Sequence, residues 1–567
     1  MRAHAARCLR RWGSVAAAVS ALGCHPRAST VLVPTLAVTT SVVASVGAGV
    51  PESSAEVEVD LCDDWAPRVL SPPGQDPPAY RAVFVALANE RLEAPGVPPV
   101  ARRDRAFELY GIPPSPSVLR ARLADAERHA CHDEVDDAAL DDLTEDLRRD
   151  DKTRSRARTP ERKAAVRAVE AHLHCEGLLP ARAASDGVFD GPTRGAVQAY
   201  QRRHALLGDG DVDAATRQAM RTDSRELEVL AALRMLRERV ADATGLIADG
   251  SASQTWGTVL GRSLDAAELR DSGGHAPMSN GAPDRISNAT DAAARALGWR
   301  DAASIEASLA DLQGDCRVSV PVENRPAWRD RPHAFRVEID RGDMWIHRPK
   351  DGADRDGEAA VLTLVVAYDG IEEGLVRWPT TIGGWERKRL DDGNVVRRFQ
   401  ESPVGPVVWR DIVAAPTWYP PASTPDDELV IPRGDGHFSI RNDTIGPGYR
   451  SAYGLAMLPH LERLPGQGKT PDRFTDRGIR THGTSSYRSM YGGGNSHGCH
   501  RLPNHLVLRL TSFLLREQPH DVVGPVHEPY ARALFGGKAW IHREDRGYVY
   551  RLRTPIEVEV LEGRVHR

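Results

Sequence analysis

The stretch THGTSSYRSMYGGGNSHGCHRLPN, residues 481–504, decides how the second half of the chain is interpreted. It places Cys499 between His497 and His500, after a loop with three consecutive glycines. A cysteine is a nucleophile only as the thiolate, and its ordinary pKa of about 8.5 means that a nearby group must accept the proton. His482, at the end of a predicted strand, and His497 are candidates for that base. The pattern therefore favours acyl transfer through a thioester.

The residues next to the cysteine also suit this chemistry. Gly498 frees the backbone, so the amide groups of Gly498 and Cys499 can turn toward one point and hold an oxyanion. His500 is expected to point away from the thiol, because adjacent side chains of an extended segment alternate in direction. The loop before the cysteine can shape a substrate cleft.

Two other interpretations of Cys499 remain open. It can be a zinc ligand, with partners drawn from His482, His497, His500 and His505. However, His497, Cys499 and His500 crowd together, whereas chelating pairs are usually separated by about two to four residues. It can also be a structural cysteine, although such a residue does not need so polar and glycine-rich a setting.

The same residues resemble the signature of the L,D-transpeptidase catalytic domain family (YkuD-like). The resemblance covers about residues 330–515 and includes the upstream segments TTIGGWE, SPVGPVVW and IGPGYRSAYGLAML. One departure is His500, where the family usually has an aliphatic residue. The matching signature residues are His482, Gly483, Ser496, His497, Gly498, Cys499, Arg501 and Asn504.

The resemblance implies a β-rich catalytic fold that acts on peptidoglycan stem peptides without a metal or organic cofactor. Cys499 would attack the carbonyl of the meso-diaminopimelyl residue and expel D-alanine. His482 would be the proton donor and acceptor, oriented by the backbone carbonyl of Gly483. A second stem would resolve the thioester into a 3→3 cross-link, or a protein amine would be attached to the wall. The oxyanion loop would comprise His497, Gly498 and Cys499. The substrate-binding residues would be Ser496, Arg501 and Asn504, of which Arg501 and Asn504 would support the loop or a substrate carboxylate.

Two other classes of function stay open beside the transpeptidase. Water can replace the amine, which gives an L,D-carboxypeptidase or an enzyme that detaches proteins from the wall. Alternatively, the chain can be a non-catalytic protein that only binds peptidoglycan. Analysis of the reaction products would distinguish a hydrolase from the transpeptidase. The reactivity of the Cys499 thiol would distinguish either enzyme from a protein that only binds peptidoglycan.

A second motif lies upstream, at residues 160–222. Apolar residues at helical spacing and two glycine turns predict three short helices, in which Asp190 or Thr193 caps the second. An ordinary three-helix domain of another kind also fits this pattern. The segment resembles the peptidoglycan-binding domain family, and the matching residues are Gly187, Phe189, Pro192, Thr193, Ala196, Val197, Gln198, Gln201, Asp209, Gly210 and Thr216.

The N-terminus predicts export. A basic head is followed by an apolar run that ends at Cys24 and resembles a lipoprotein cleavage box, and a second apolar stretch spans 31–50. Residues 1–50 are thus interpreted as an export signal or as a membrane or lipid anchor, which puts the rest in the periplasm or cell envelope. The net charge of −5, with no later basic block, makes nucleic acid an unexpected partner.

Cysteine usage agrees with export. Of the seven cysteines, two lie in the signal region, and one of the remaining five must be left over. We expect the other four to form two disulfides in an oxidising compartment and Cys499 to keep its thiol. The sequence does not choose among the three pairings of Cys62, Cys131, Cys175 and Cys316.

The 567 residues are enough for several domains, and the element pattern predicts a multidomain α+β protein. Alternation of apolar and polar residues from about residue 330 indicates a mainly β catalytic domain. The predicted divisions are the signal or anchor at 1–50, a helical region of unknown role at 51–155, the three-helix module at 160–222, a helical connector and loop at 223–325, the catalytic domain at 330–520 and a C-terminal β extension at 521–567.

Overall fold

The computed structural model describes most of the chain downstream of residue 54. The predicted signal or anchor, and Ser496 and His497 in the glycine-rich loop, lie outside the described residues. Among the described helices, none combines the length and the apolar character needed to cross a membrane. The described residues are 55–71, 112–129, 131, 160–180, 185–206, 210–264, 274–312, 316–322, 325–345, 357–434, 436–468, 470–485 and 498–566.

Helices dominate the first half of the described chain and strands the second. Short 3-10 turns lie at Arg68–Leu70, Ala327–Asp330, Asp426–Glu428 and Phe535–Gly537. The helices are α1 (Pro116–His129), α2 (Pro160–Cys175), α3 (Gly191–Arg203), α4 (Ala214–Arg221), α5 (Ser224–Thr244), α6 (Arg285–Ala296), α7 (Ala302–Asp311), α8 (Asn442–Ile445) and α9 (Asn504–Glu517). The strands are β1 (Ala55–Asp60), β2 (Arg317–Val322), β3 (His333–Asp340), β4 (Asp343–Trp345), β5 (Val361–Tyr368), β6 (Ile371–Pro379), β7 (Gly383–Arg389), β8 (Val395–Glu401), β9 (Gly405–Ala414), β10 (Val430–Gly434), β11 (His437–Ile440), β12 (Ala456–Leu464), β13 (Arg473–Thr484), β14 (His500–Pro503), β15 (His520–Leu534), β16 (Ala539–Val560) and β17 (Arg564–His566).

Helices α2, α3 and α4 form the predicted three-helix module. Local hydrogen bonds begin two of the helices: the side chain of Asp190 accepts from the backbone N–H of Thr193 at 2.9 Å, and that of Asp213 accepts from Thr216 at 2.8 Å. The apolar positions at helical spacing point inward and are fully buried. The core includes Val166, Val169, Leu173, Val197, Tyr200 and Met220.

The range 51–155, predicted as helical, is only partly so. Residues Ala55–Asp60 (AEVEVD) form β1, which pairs antiparallel with β2 some 260 residues later. The alternation of apolar and acidic residues favours a strand with one buried face, and this signal was missed. The helical prediction holds for α1, which packs in the same core as β1.

The range 223–325, predicted as a connector, is a packed unit with its own core. Helices α5, α6 and α7 bury apolar residues against β1, β2 and α1. The core includes Leu233, Leu236, Ile286, Trp299 and Ile305, each buried to 1% exposure or less. The first half of the described chain therefore contributes two cores: that of the three-helix module and the one that α5, α6 and α7 share with β1, β2 and α1.

The four cysteines predicted to be oxidised pair as Cys62–Cys316 and Cys131–Cys175. The first disulfide joins the loops beside β1 and β2, and the second ties α2 to the segment after α1. Cys499 is in neither disulfide. The expectation of two disulfides with the Cys499 thiol left over is confirmed.

The second half of the chain is organised around one large sheet with the strand order β14-β13-β12-β9-β16-β3-β5-β6, and β15 pairs with β16. Strand β16 lies at the centre of this order, antiparallel to β9 and parallel to β3. Residues 521–567, predicted as a C-terminal β extension that follows 330–520, do form strands, but β16 lies inside the large sheet and not beyond it. The chain needs its last long strand to complete the sheet that carries Cys499.

Helix α5 links these parts. Its Leu227 packs in the core of the three-helix module, and its middle packs in the second core. Further along, Glu238 of α5 forms a partly buried ion pair with Arg509 of α9, which covers the large sheet. Arg509 also lies 3.4 Å from the fully buried Asp249. The module is thus joined to the sheet domain through packed, hydrogen-bonded contacts.

Candidate active site

Parallel pairing of β13 and β14 brings the two sequence-predicted reactive residues to one face. In the register, Thr481 pairs with His500 and His482 pairs with Arg501. Partnered side chains of parallel strands point to the same face, and Cys499 lies two positions before Arg501. His482, Arg501 and Cys499 therefore share a face, whereas His500 points to the other.

The imidazole of His482 is held in one orientation. Its Nδ1 lies 2.8 Å from the backbone carbonyl oxygen of Gly483, so in the neutral ring Nδ1–H donates and Nε2 accepts. The ring of Tyr453 packs edge-on against it, with centroids 5.2 Å apart. A side chain at Gly483 would collide with the amide oxygen of Asn504, so glycine is required there.

Burial determines the resting charges of the pair. Burial, followed by the charge of the Arg501 guanidinium, lowers the pKa of His482 to about 3. Burial also raises the pKa of Cys499, and the backbone N–H of Arg480 and the guanidinium groups of Arg480 and Arg501 only partly offset this. At neutral pH the resting site thus holds a neutral thiol and a neutral imidazole.

The two arginines near the thiol differ in their pairing. Arg480 forms a two-pronged ion pair with Asp476, at 2.6 and 2.7 Å. Arg501 has no carboxylate within ion-pair distance among the residues that the structure describes, and burial lowers its pKa. A half-buried guanidinium with this pairing suits a substrate carboxylate, which would supply the missing charge.

The side-chain amide of Asn504 bonds to the backbone of another segment. It is fully buried at the start of α9. Its side-chain oxygen accepts from the N–H of Leu455 at 3.0 Å, and its side-chain nitrogen donates to the carbonyl of Tyr449 at 3.0 Å. With its amide used in this way, Asn504 fixes the segment that carries Tyr453, and the substrate-binding role named for it stays a prediction.

Gly498 adopts a backbone conformation that favours glycine, with φ of +90°. A Cβ there would also lie 3.0 Å from the carbonyl oxygen of Glu401 and 3.2 Å from Ile479. The requirement for glycine at this position is therefore both conformational and steric. The parts predicted for Ser496 and His497 stay predictions, because both lie outside the described residues.

Comparison with protein families concerns the three-helix module. Residues 162–220 match the family described as "Putative peptidoglycan binding domain". The chain therefore carries a peptidoglycan-binding domain, which makes peptidoglycan a partner and agrees with association with the cell wall. A search of curated proteins found no match for the chain.

Of the histidines named for a zinc site, His500 and His505 lie away from the face shared by Cys499 and His482, and His497 lies outside the described residues. His500 stacks on His460 with ring centroids 5.1 Å apart, on the face opposite Cys499. His505 lies half-buried on α9 near Arg509 and Glu238, and desolvation, followed by the charge of Arg509, lowers its pKa to about 3. Among the described residues, the one cluster with metal-ligand spacing contains Cys62 and Cys316, whose sulfurs are bonded to each other. The arrangement at Cys499 thus favours a nucleophile over a zinc ligand.

Three residues at the site were not singled out from the sequence: Arg480, Tyr453 and Thr381. Arg480 lies two residues before His482, so strand alternation could have placed it on the same face. Tyr453 lies in the segment IGPGYRSAYGLAML, but only the fold brings its ring to His482. Thr381 lies in the segment TTIGGWE, but its contacts to residues 499–501 span about 120 positions, so only the fold reveals them.

Proposed function

We propose that the protein is a peptidoglycan L,D-transpeptidase that works through a thioester on Cys499. The observation that carries the proposal is the shared face of Cys499 and His482, with Nδ1 of His482 held by the Gly483 carbonyl. This arrangement leaves Nε2 to exchange a proton with the thiol. The peptidoglycan-binding domain supports peptidoglycan stem peptides as the substrate class.

In the first half-reaction, Nε2 of His482 takes the proton of the Cys499 thiol while the sulfur attacks the carbonyl carbon of the diaminopimelyl residue. The backbone amides of Gly498 and Cys499 stabilise the resulting oxyanion. His482 then gives its proton to the leaving nitrogen, the C–N bond breaks and D-alanine departs. The stem remains bound to the sulfur as a thioester.

Substrate binding helps this proton transfer. The charge of Arg501 disfavours the imidazolium form of His482, which is one reason why the pKa of His482 is low. A stem carboxylate bound to Arg501 would offset that charge and raise the pKa of the imidazole. His482 would thus become a competent base when substrate is present, and the resting thiol would stay protonated.

In the second half-reaction, the amine of another stem attacks the thioester and His482 accepts its proton. The C–S bond breaks, the thiolate recovers a proton from His482, and a 3→3 cross-link or a protein attached to the wall is released. If water attacks in place of the amine, the same site acts as an L,D-carboxypeptidase or a wall-detaching hydrolase.

Incubation of the full chain with disaccharide-tetrapeptide, followed by mass spectrometry of the products, tests the proposal. We expect free D-alanine and a cross-linked dimer, with Cys499→Ala as the matched inactive control. Tripeptide without dimer would assign the chain to the hydrolases. Absence of both products from the folded wild type would leave a peptidoglycan-binding protein without this activity.

A further inference from the structure

Thr381 contacts three consecutive residues around the nucleophile. It lies between β6 and β7 and is 5% exposed. Its hydroxyl donates to the carbonyl of Cys499 at 3.0 Å and accepts from the backbone N–H of Arg501 at 3.0 Å. Its own carbonyl oxygen lies 3.0 Å from Nδ1 of His500, so it accepts from the imidazole.

Neighbouring residues extend this contact along the loop. The hydroxyl of Thr380 donates to the carbonyl of Arg501 at 2.9 Å. The base of the β7–β8 hairpin is closed by the N–H of Ser402, which donates to the carbonyl of Ile382 at 2.8 Å. On the other side of that base, the carbonyl of Glu401 lies against Gly498. Residues 498–501 are therefore held between the two ends of the hairpin.

These bonds restrict the backbone where it would meet the oxyanion. The carbonyl of Cys499 and the N–H of Arg501 belong to the peptide units on either side of His500, and Thr381 holds both. Fixing these two units, with Gly498 already in its special conformation, limits the directions in which the amides of Gly498 and Cys499 can point. Preorganised donors of this kind contribute most when they need not move during the reaction.

We propose that Thr381 is a positioning residue that holds the Gly498–Cys499 backbone in its oxyanion-binding geometry. This inference rests on the proposed function, because the Gly498–Cys499 amides bind an oxyanion only if acyl transfer takes place at Cys499. A hydroxyl is required because it both donates and accepts, and a valine of similar shape can do neither. Serine keeps both bonds.

The test compares Thr381→Val with Thr381→Ser in the full chain. Thr290→Val is a matched control, since it removes a buried hydroxyl that bonds only the carbonyl of Ile286 in its own helix, at 2.7 Å. Three quantities are measured: single-turnover acylation of Cys499 by disaccharide-tetrapeptide, alkylation by iodoacetamide across pH, and hydrogen exchange of the amides in residues 498–501. Alkylation forms no oxyanion, so it reports on the thiol alone.

We expect Thr381→Val to slow acylation by about 10- to 100-fold, less than the roughly 10²- to 10³-fold of a lost oxyanion donor, because the amides are displaced and not removed. Its alkylation rate should stay within about threefold of wild type, and its loop amides should exchange faster. Thr381→Ser and Thr290→Val should match wild type in all three measurements. If Thr381→Val does not fold, Thr381→Ala removes the same hydroxyl and carries the same expectations.

Unchanged acylation in Thr381→Val would overturn the proposal, and so would alkylation that falls as much as acylation. If the wild type itself is not acylated, the proposed function fails and the role of Thr381 is decided by hydrogen exchange. In that case, loop amides that exchange equally fast in Thr381→Val and wild type would overturn the positioning role of Thr381.

Discussion

In the peptidoglycan-binding domain, the bonds that begin α3 and α4 join residues three positions apart, Asp190 to Thr193 and Asp213 to Thr216. At the Cys499 site, the corresponding contacts join residues that are about 120 positions apart. A region built from local contacts can be recognised from a short window of sequence. A site assembled by a sheet depends on segments that no single window contains. We expect changes in the two regions to affect different properties, peptidoglycan binding in one and chemistry at Cys499 in the other.

The largest effect should come from Cys499→Ala. Removal of the sulfur should abolish product formation, because no other described group on that face offers a comparable nucleophile. Binding to purified sacculi should be unchanged, since the peptidoglycan-binding domain holds none of the proposed acyl-transfer groups. Co-sedimentation with sacculi and product analysis by mass spectrometry measure the two properties. Loss of binding along with turnover would contradict the separation of the two regions.

The next effect concerns the base. His482→Ala should lower the acylation rate by about 10²- to 10⁴-fold, the usual contribution of a positioned base. The matched control is His460→Leu, which removes a buried histidine from the opposite face and should change acylation far less. Single-turnover rates, with folding checked by circular dichroism, make the comparison. Equal losses in the two variants would show that His482 is not the base.

The junction between the two regions gives a third test. Glu228 of α5 is buried and pairs with Arg203 of the peptidoglycan-binding domain at 2.9 Å and with Arg122 at 2.7 Å. Glu228→Gln should lower the free energy of unfolding by about 3–5 kcal/mol, because buried Arg122 loses this counter-charge and Arg203 is left with Glu176, at 3.1 Å, as its counter-charge. Asp369→Asn, at an exposed pair with Arg331, should cost about 1 kcal/mol or less. Denaturant unfolding measures both, and similar small losses would mean that the junction does not depend on this charge cluster.

The smallest effect is a change in acid stability. Burial lowers the pKa of His500 to about 4, so between about pH 6.5 and 4 the unfolded chain binds a proton that the folded chain does not. Stability should therefore fall as the pH drops through this window, by up to about 3 kcal/mol for this one group. His500→Leu should flatten the pH dependence of the free energy of unfolding between these values. A slope identical to that of wild type would mean that His500 is not buried as a neutral ring.

Sequence patterns predicted the parts of the fold that depend on near neighbours. The positions of Val166, Val169 and Leu173 and the cap at Asp190 follow from helical spacing, and the oxidised cysteines follow from their number. The pairing of the cysteines, the place of β16 inside the sheet and the partner of β1 depend on contacts that only the assembled fold creates.

The same limit applies within the site. The alternation rule correctly placed His500 away from the thiol, because that depends on a single strand. The structural position of Asn504, the ring of Tyr453 against His482 and the contacts of Thr381 each require a second segment, so they could not be derived from the motif. Residues that bond through side-chain amides or hydroxyls were the hardest to assign.

Acid-quenched mass spectrometry would show whether Cys499 carries the stem peptide as a thioester. The full chain is mixed briefly with disaccharide-tetrapeptide, quenched and digested to locate any adduct. The account predicts an adduct on Cys499 whose mass equals the substrate without D-alanine, present in wild type and absent from Cys499→Ala. An adduct that persists in Cys499→Ala, or none in a wild-type protein that still releases D-alanine, would contradict it.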